Sequence, residues 1–166
     1  SGNDNDFASS GLDANDQVTD TPTNNHMNFA SLVRGGDADN IATISNGNLT
    51  TTRSASKHAG PVTGTAIGPG GKWYCEAKVI NTGGVQPGIT ATTSDWLWDT
   101  IENTLGFYDD NWSIIASNGN KRNDDSGSGV SYGSAVSAND VVQIAVDLDN
   151  GKIWWGLNGT FFASGA

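Results

Sequence analysis

The stretch Val141–Gly159, VVQIAVDLDNGKIWWGLNG, constrains the fold more than any other part of the chain. Apolar residues alternate on both sides of an Asn150-Gly151 pair, the signature of an antiparallel hairpin. A two-residue turn at Asn150-Gly151 would set Asp149 opposite Lys152. Pairing would then run outward as Leu148 with Ile153, Val146 with Trp155, and Ile144 with Leu157, all on one face. The other face would pair Asp147 with Trp154, Ala145 with Gly156, and Gln143 with Asn158. Trp155 is therefore expected in a core with Val146, Leu148 and Ile153, where its ring contributes roughly 2–3 kcal/mol or more. Trp154 is expected on the opposite face, partly covered by a loop, with ligand binding as its alternative role.

A second strand is as clear. In KWYCEAKVI, Trp73, Cys75, Ala77 and Val79 fall on one face and Lys72, Tyr74, Glu76 and Lys78 on the other. The spacing places Trp73 and Cys75 in the core, with Cys75 as a small buried hydrophobe rather than a reactive thiol. IATISNGNLTTTR predicts two strands about an Asn46-Gly47 turn. GVQPGITAT, LGFYDD and WSIIASNGNK are further strand candidates, and DDSGSGVSYGS reads as a loop. With 22 glycines in 166 residues and no helical periodicity, the pattern predicts an all-β, antiparallel two-sheet β-sandwich. Residues 1–40 hold seven acids, one basic residue (Arg34) and few apolar side chains. They are expected to form an extended acidic arm or linker, with the sandwich over 41–166. Both ends read as cuts through a longer polypeptide.

The formal charge of −10 and the absence of a basic patch argue against a nucleic-acid partner. They suit solubility in a salty or extracellular setting. A single cysteine allows no intrachain disulfide, and no run of about 18 apolar residues suggests membrane insertion. His26 and His58 lack partners at metal-ligand spacing. GPGGKW has no Ser or Thr after Lys72 and leads into a strand, unlike a phosphate loop. Glu76 lies beside Lys78, which favours its ionised form over a role as general acid, and Glu102 falls in a loop. No catalytic residue and no cofactor are expected. Calcium is the one metal that NDND (Asn3–Asp6), DADN (Asp37–Asn40) and NDD (Asn123–Asp125) would suit, but none has EF-hand spacing. Asx-rich turns are more often simply turns.

Two aromatic–acidic stretches are the candidate ligand sites. In SDWLWDT, Trp96 and Trp98 alternate between Asp95 and Asp99 and could stack on a sugar while the acids accept its hydroxyls. The plainer reading packs these tryptophans at the sandwich end. Tyr108 and Trp112, beside Asp109 and Asp110, form the second stretch.

GKWYCEAKV, SIIASNGNKRN and VSYGSAVSANDVVQIAVDLDNGKIWWGLNG follow in the order seen in SPRY domains, which these segments resemble over roughly residues 45–162. DQVTDTPTNN (Asp16–Asn25) is similar to strings that precede SPRY-like modules in tailed-bacteriophage structural proteins. The resemblance implies a concanavalin-like sandwich that is not an enzyme and binds partners through loops at one rim. It implies a place in the virion, as a fibre, tail appendage or capsid decoration. The partners would be host surface proteins or glycans, other virion subunits, or further copies of the chain. SPRY domains usually continue past the Asn158-Gly159 turn, whereas here only Thr160–Ala166 follow. That departure suggests an incomplete sandwich completed by strand exchange between subunits, a purely structural alternative. A glycan-degrading sandwich enzyme is the distant third.

Overall fold

A computed structural model describes residues 27–29, 42–52, 67–94, 105–124 and 127–165. Most of the expected arm and the whole SDWLWDT stretch beyond Ser94 lie outside them. Among the described residues the chain is all-β, with ten strands, no α-helix and a 3-10 turn at Phe162–Gly165.

Two four-stranded antiparallel sheets form the body, as a β-sandwich requires. The first contains β3 (Lys72–Lys78), β8 (Val141–Asp147), β9 (Lys152–Leu157) and β10 (Thr160–Phe161), in the order β10-β9-β8-β3. The second contains β4 (Gly88–Thr90), β5 (Asn111–Ile114), β6 (Asn120–Arg122) and β7 (Val130–Ser131), in chain order. The strands β1 (Thr43–Ser45) and β2 (Thr50–Thr52) make a separate hairpin about Asn46-Gly47. LGFYDD, expected as a strand, is a series of turns instead. Gly106 has a φ of 91°, and its N–H is held by the Asn111 side-chain oxygen, which bends the backbone out of any ladder.

Apolar side chains from both sheets meet in one core. Val142, Ile144, Val146 and Trp155 come from the first sheet and Ile114 from the second, joined by Val79, Ala116 and Val136. Cys75, Leu148 and Ile153 pack half-buried against them. Trp155 is 2% exposed. Its indole N–H donates to the Pro87 carbonyl at 3.2 Å, and its ring meets Tyr132 edge-on at 5.9 Å. Burial of a polar ring N–H is tolerated because it finds that acceptor. Phe162 packs edge-on against Tyr132, and a Cβ on Gly133 would fall on its ring.

The central hairpin keeps its predicted faces but not its predicted register. Asp147 pairs with Lys152, Val146 with Ile153, Ala145 with Trp154, Ile144 with Trp155, and Val142 with Leu157. The ladder is therefore shifted by two residues, and Leu148–Gly151 form a four-residue loop. A two-residue turn of the expected type needs positive φ at both positions. Here only Gly151 has it, at 60°. Asp147 stabilises the longer loop by accepting the Asn150 backbone N–H at 3.1 Å and its side-chain amide at 2.9 Å. Because side chains alternate with a period of two, this shift leaves every residue on its expected face.

Trp73 departs from the expected core. It is 43% exposed and does not join the cluster. It stands near the start of β3, at the edge of the sheet, and folds back on the preceding turn. Its indole N–H donates to the Gly70 carbonyl at 2.9 Å.

Two carboxylates hold the hairpin ends. Asp140 accepts the Ser137 N–H at 2.7 Å and the Asn158 amide at 2.8 Å. The Asn158 bond is the larger cause of an Asp140 pKa below the usual carboxylate range. Asp147 is held low likewise, chiefly by the Asn150 amide. A depressed folded-state pKa contributes stability above the unfolded value of about 3.9 that is lost as pH falls through the folded value. The urea midpoints of Asp140→Asn and Asp147→Asn should therefore lie below that of the parent at pH 7. The gap should narrow as pH falls below about 4.

Candidate functional site: an aromatic groove on the outer sheet face

The face of the first sheet that points away from the core carries an aligned row of side chains. Tyr74 on β3 pairs with Ala145 on β8, which pairs with Trp154 on β9. Two aromatic residues thus flank a small one across three adjacent strands. The next row brings Lys72, Asp147 and Lys152 together, and the row on the other side brings Glu76, Gln143 and Gly156.

These residues border a groove of about 330 Å³, lined by Lys72, Trp73, Tyr74, Ala145–Asp147 and Trp154. Its volume falls at the lower end of the range for small-ligand clefts. Tyr74 is 56% exposed, and Trp154 is half-buried. Phe161 adds a third ring, edge-on to Tyr74 at 6.5 Å.

The groove's polar groups are ordered by their neighbours. Lys72 Nζ lies 3.3 Å from Asp147 Oδ2. The Asp147 carboxylate also accepts both Asn150 bonds, so it serves the loop and is not poised to transfer a proton. The Tyr74 hydroxyl donates to Glu76 Oε1 at 2.5 Å, and that bond is the largest cause of a Tyr74 pKa above its ordinary value. Gln143, 6% exposed, reaches across Gly156 so that its Oε1 accepts the Gly159 N–H at 3.0 Å. A Cβ on Gly156 would come within 2.9 Å of that oxygen and of the Thr160 backbone carbonyl, which cannot turn away. On the inner face Cys75 has its thiol pKa raised, first by burial and then by Glu76, which leaves it protonated and slow to react.

The residues anticipated for ligand contact are not gathered here. Asp95, Trp96, Trp98 and Asp99 lie outside the described residues. Trp112 pairs with Ile89 in the second sheet and packs against the core. Tyr108 is half-buried, with its ring edge-on to Phe107 at 5.1 Å. Beside it, Asp110 accepts the Ser94 hydroxyl at 2.7 Å and the Asn111 amide at 3.3 Å. That cluster, with Ser94, Asn111 and Ser113 fully buried, closes the outer face of the second sheet. Among the described residues no three His, Cys, Asp or Glu side chains converge as a metal ion would require.

Lys72, Tyr74 and Phe161 were not singled out by the sequence as site residues. The available signal was the alternation that sends Tyr74 and Trp154 outward. The missing piece was the placement of β3 beside β8, two strands more than sixty residues apart.

The fold and groove together define an antiparallel β-sandwich with a solvent-facing aromatic cleft on one sheet. No family model matches the chain, and no curated protein matches it.

Proposed function

We propose that this chain is a non-catalytic binding module, a SPRY-like sandwich carried on the virion of a tailed phage, that contacts the host surface or neighbouring subunits. The outward-facing row of Tyr74, Ala145 and Trp154 carries this reading. An outward-facing aromatic cleft costs apolar hydration in the free protein, which a ligand would relieve. The engaged state of Asp147, held ionised by Asn150 and Lys72, supports binding over hydrolysis. The virion setting rests on the resemblance of Asp16–Asn25 and of the strand motifs.

Binding of the fluorescently labelled chain to immobilised cell envelopes from a panel of bacteria tests the reading. Saturable binding to some envelopes is expected, reduced at least tenfold by Tyr74→Ala with Trp154→Ala. Undiminished binding by that variant would remove the groove from the function. Release of envelope saccharides by the chain would replace the module with an enzyme.

A further inference from the structure

We propose that the outer edge of β3 is a self-association site, to which a second copy of this chain adds its own β3 in antiparallel register. The inference names the neighbouring subunit in the proposed function, and it uses the edge of the sheet rather than the groove on its face.

The backbone supplies the template. β3 is the last strand of the first sheet, and among the described residues it pairs with β8 alone. The Leu148 N–H donates to the Gly71 carbonyl and the Val79 N–H to that of Asp140, which sets the alternation of the ladder. Trp73, Cys75 and Ala77 thus turn their backbone groups towards β8. Lys72, Tyr74, Glu76 and Lys78 turn theirs outward. A seven-residue row of this kind is what an added strand pairs with.

Apolar exposure falls at the same place. Six large apolar residues are exposed among the described residues. Four of them, Ile67, Trp73, Tyr74 and Ile80, lie on β3 or on the segments leading into and out of it. Clustered rather than scattered exposure marks an interaction surface.

Charge selects the occupant and the register. A two-fold axis at Tyr74 sets Lys72 opposite Glu76 of the second copy, and Glu76 opposite Lys72 of the second copy. The positions 72, 74 and 76 then all form pairs of the hydrogen-bonded kind, each exchanging two backbone bonds. Lys78 meets only Gly70. Lys72, already 3.3 Å from Asp147, would stand between two carboxylates. The Tyr74 hydroxyl occupies Glu76 Oε1, which leaves Oε2 for the incoming lysine. The Tyr74 ring leans back over its own sheet towards Phe161, clear of the axis. Neighbouring registers that keep the faces aligned are penalised. An axis at Cys75 sets Lys72 opposite Lys78 twice, and an axis at Glu76 brings two glutamates together. The chosen register also accounts for Trp73. It would lie opposite Cys75 of the second copy, which supplies the neighbour that its own core does not. The net charge of −10 opposes association in general, but β3 carries two of the eight basic residues and one acid.

Sedimentation equilibrium of the full chain tests the site, at concentrations up to about 1 mM. Salt of about 0.15 M screens the long-range repulsion. A reversible dimer is expected. Lys72→Glu and Glu76→Lys each bring like charges together across the axis and should weaken it about tenfold or more. An equimolar mixture of the two variants restores opposite charges in both pairs. It should dimerise more tightly than either variant alone, a gain that only folded chains can show. Lys78→Glu should leave the dissociation constant unchanged. A tighter dimer for that variant would move the axis to Cys75 and overturn the register. A parent chain that stays monomeric throughout, or a mixture no tighter than its components, would overturn the site. If such a monomer still bound envelopes through the groove, the binding-module reading would stand without the dimer.

Discussion

Replacement of Trp155 by alanine should lower the unfolding free energy by about 3–5 kcal/mol, the usual cost of emptying a large aromatic site. The side chain is 2% exposed and joins both sheets. Its ring packs with the Ile114–Val142 core and against Tyr132, and its indole N–H donates to Pro87. Truncation therefore leaves a cavity and removes one of the two donors to the Pro87 carbonyl, the other being the Ile114 N–H at 3.0 Å. Trp155→Phe should recover most of the packing but not the hydrogen bond, a residual loss of about 1 kcal/mol. Urea denaturation at neutral pH measures both. Small domains are commonly stable by only 5–15 kcal/mol, so Trp155→Ala brings the fold close to its limit. A midpoint for Trp155→Ala equal to that of the parent would remove the ring from the centre of the sandwich.

A comparable loss is expected from a single added methyl group. In Gly88→Ala the new Cβ would fall on the carbonyl oxygen of Trp112 and within 2.8 Å of Leu105 Cδ2 and the Ser113 Cα. Two of these obstructions, the Trp112 oxygen and the Ser113 Cα, are backbone of the paired strand, so no rotamer change can relieve them. The β4–β5 pairing of Gly88 with Ser113 would have to open. A cost near the upper end of overpacking, about 3 kcal/mol, is expected. Gly151→Ala is the control. Nothing lies within 4 Å of its added Cβ, and only its φ of 60° resists substitution. That should cost about 1 kcal/mol. Denaturation curves in which the two variants lose equal stability would contradict the close approach of β4 to β5.

The sequence puts Gly88 in a strand candidate and Gly151 in a turn, but neither assignment gives the cost of an added methyl group. What separates them is the proximity of a strand that folding brings from elsewhere. The same contrast runs through the candidate site. Alternation alone sends Trp154 and Tyr74 to the outward face and Trp155 to the inward one. It cannot show that Tyr74 and Trp154 share a row, because β8 must first lie between them. Trp73 illustrates the converse. Its parity predicts an inward direction, yet direction brings burial only where a second layer stands opposite. At the start of β3 the indole turns to Gly70 instead. The sequence groups Trp112 with its acidic neighbours as a candidate ligand site. Asp110 faces Ser94 and Asn111 while the indole packs on the core.

By itself the sequence determined the class of fold, the strands at Lys72–Lys78, Val141–Asp147 and Lys152–Leu157, and the face on which each of their residues lies. Those properties follow from a side-chain period of two and from local turn chemistry, both written in consecutive residues. Only the tertiary structure decided the two-residue shift of the central hairpin, the exposure of Trp73 and the meeting of Tyr74, Ala145 and Trp154 in one groove. Each of these depends on which distant strand supplies a neighbour and on where the opposing layer stops, and parity within a single strand carries neither.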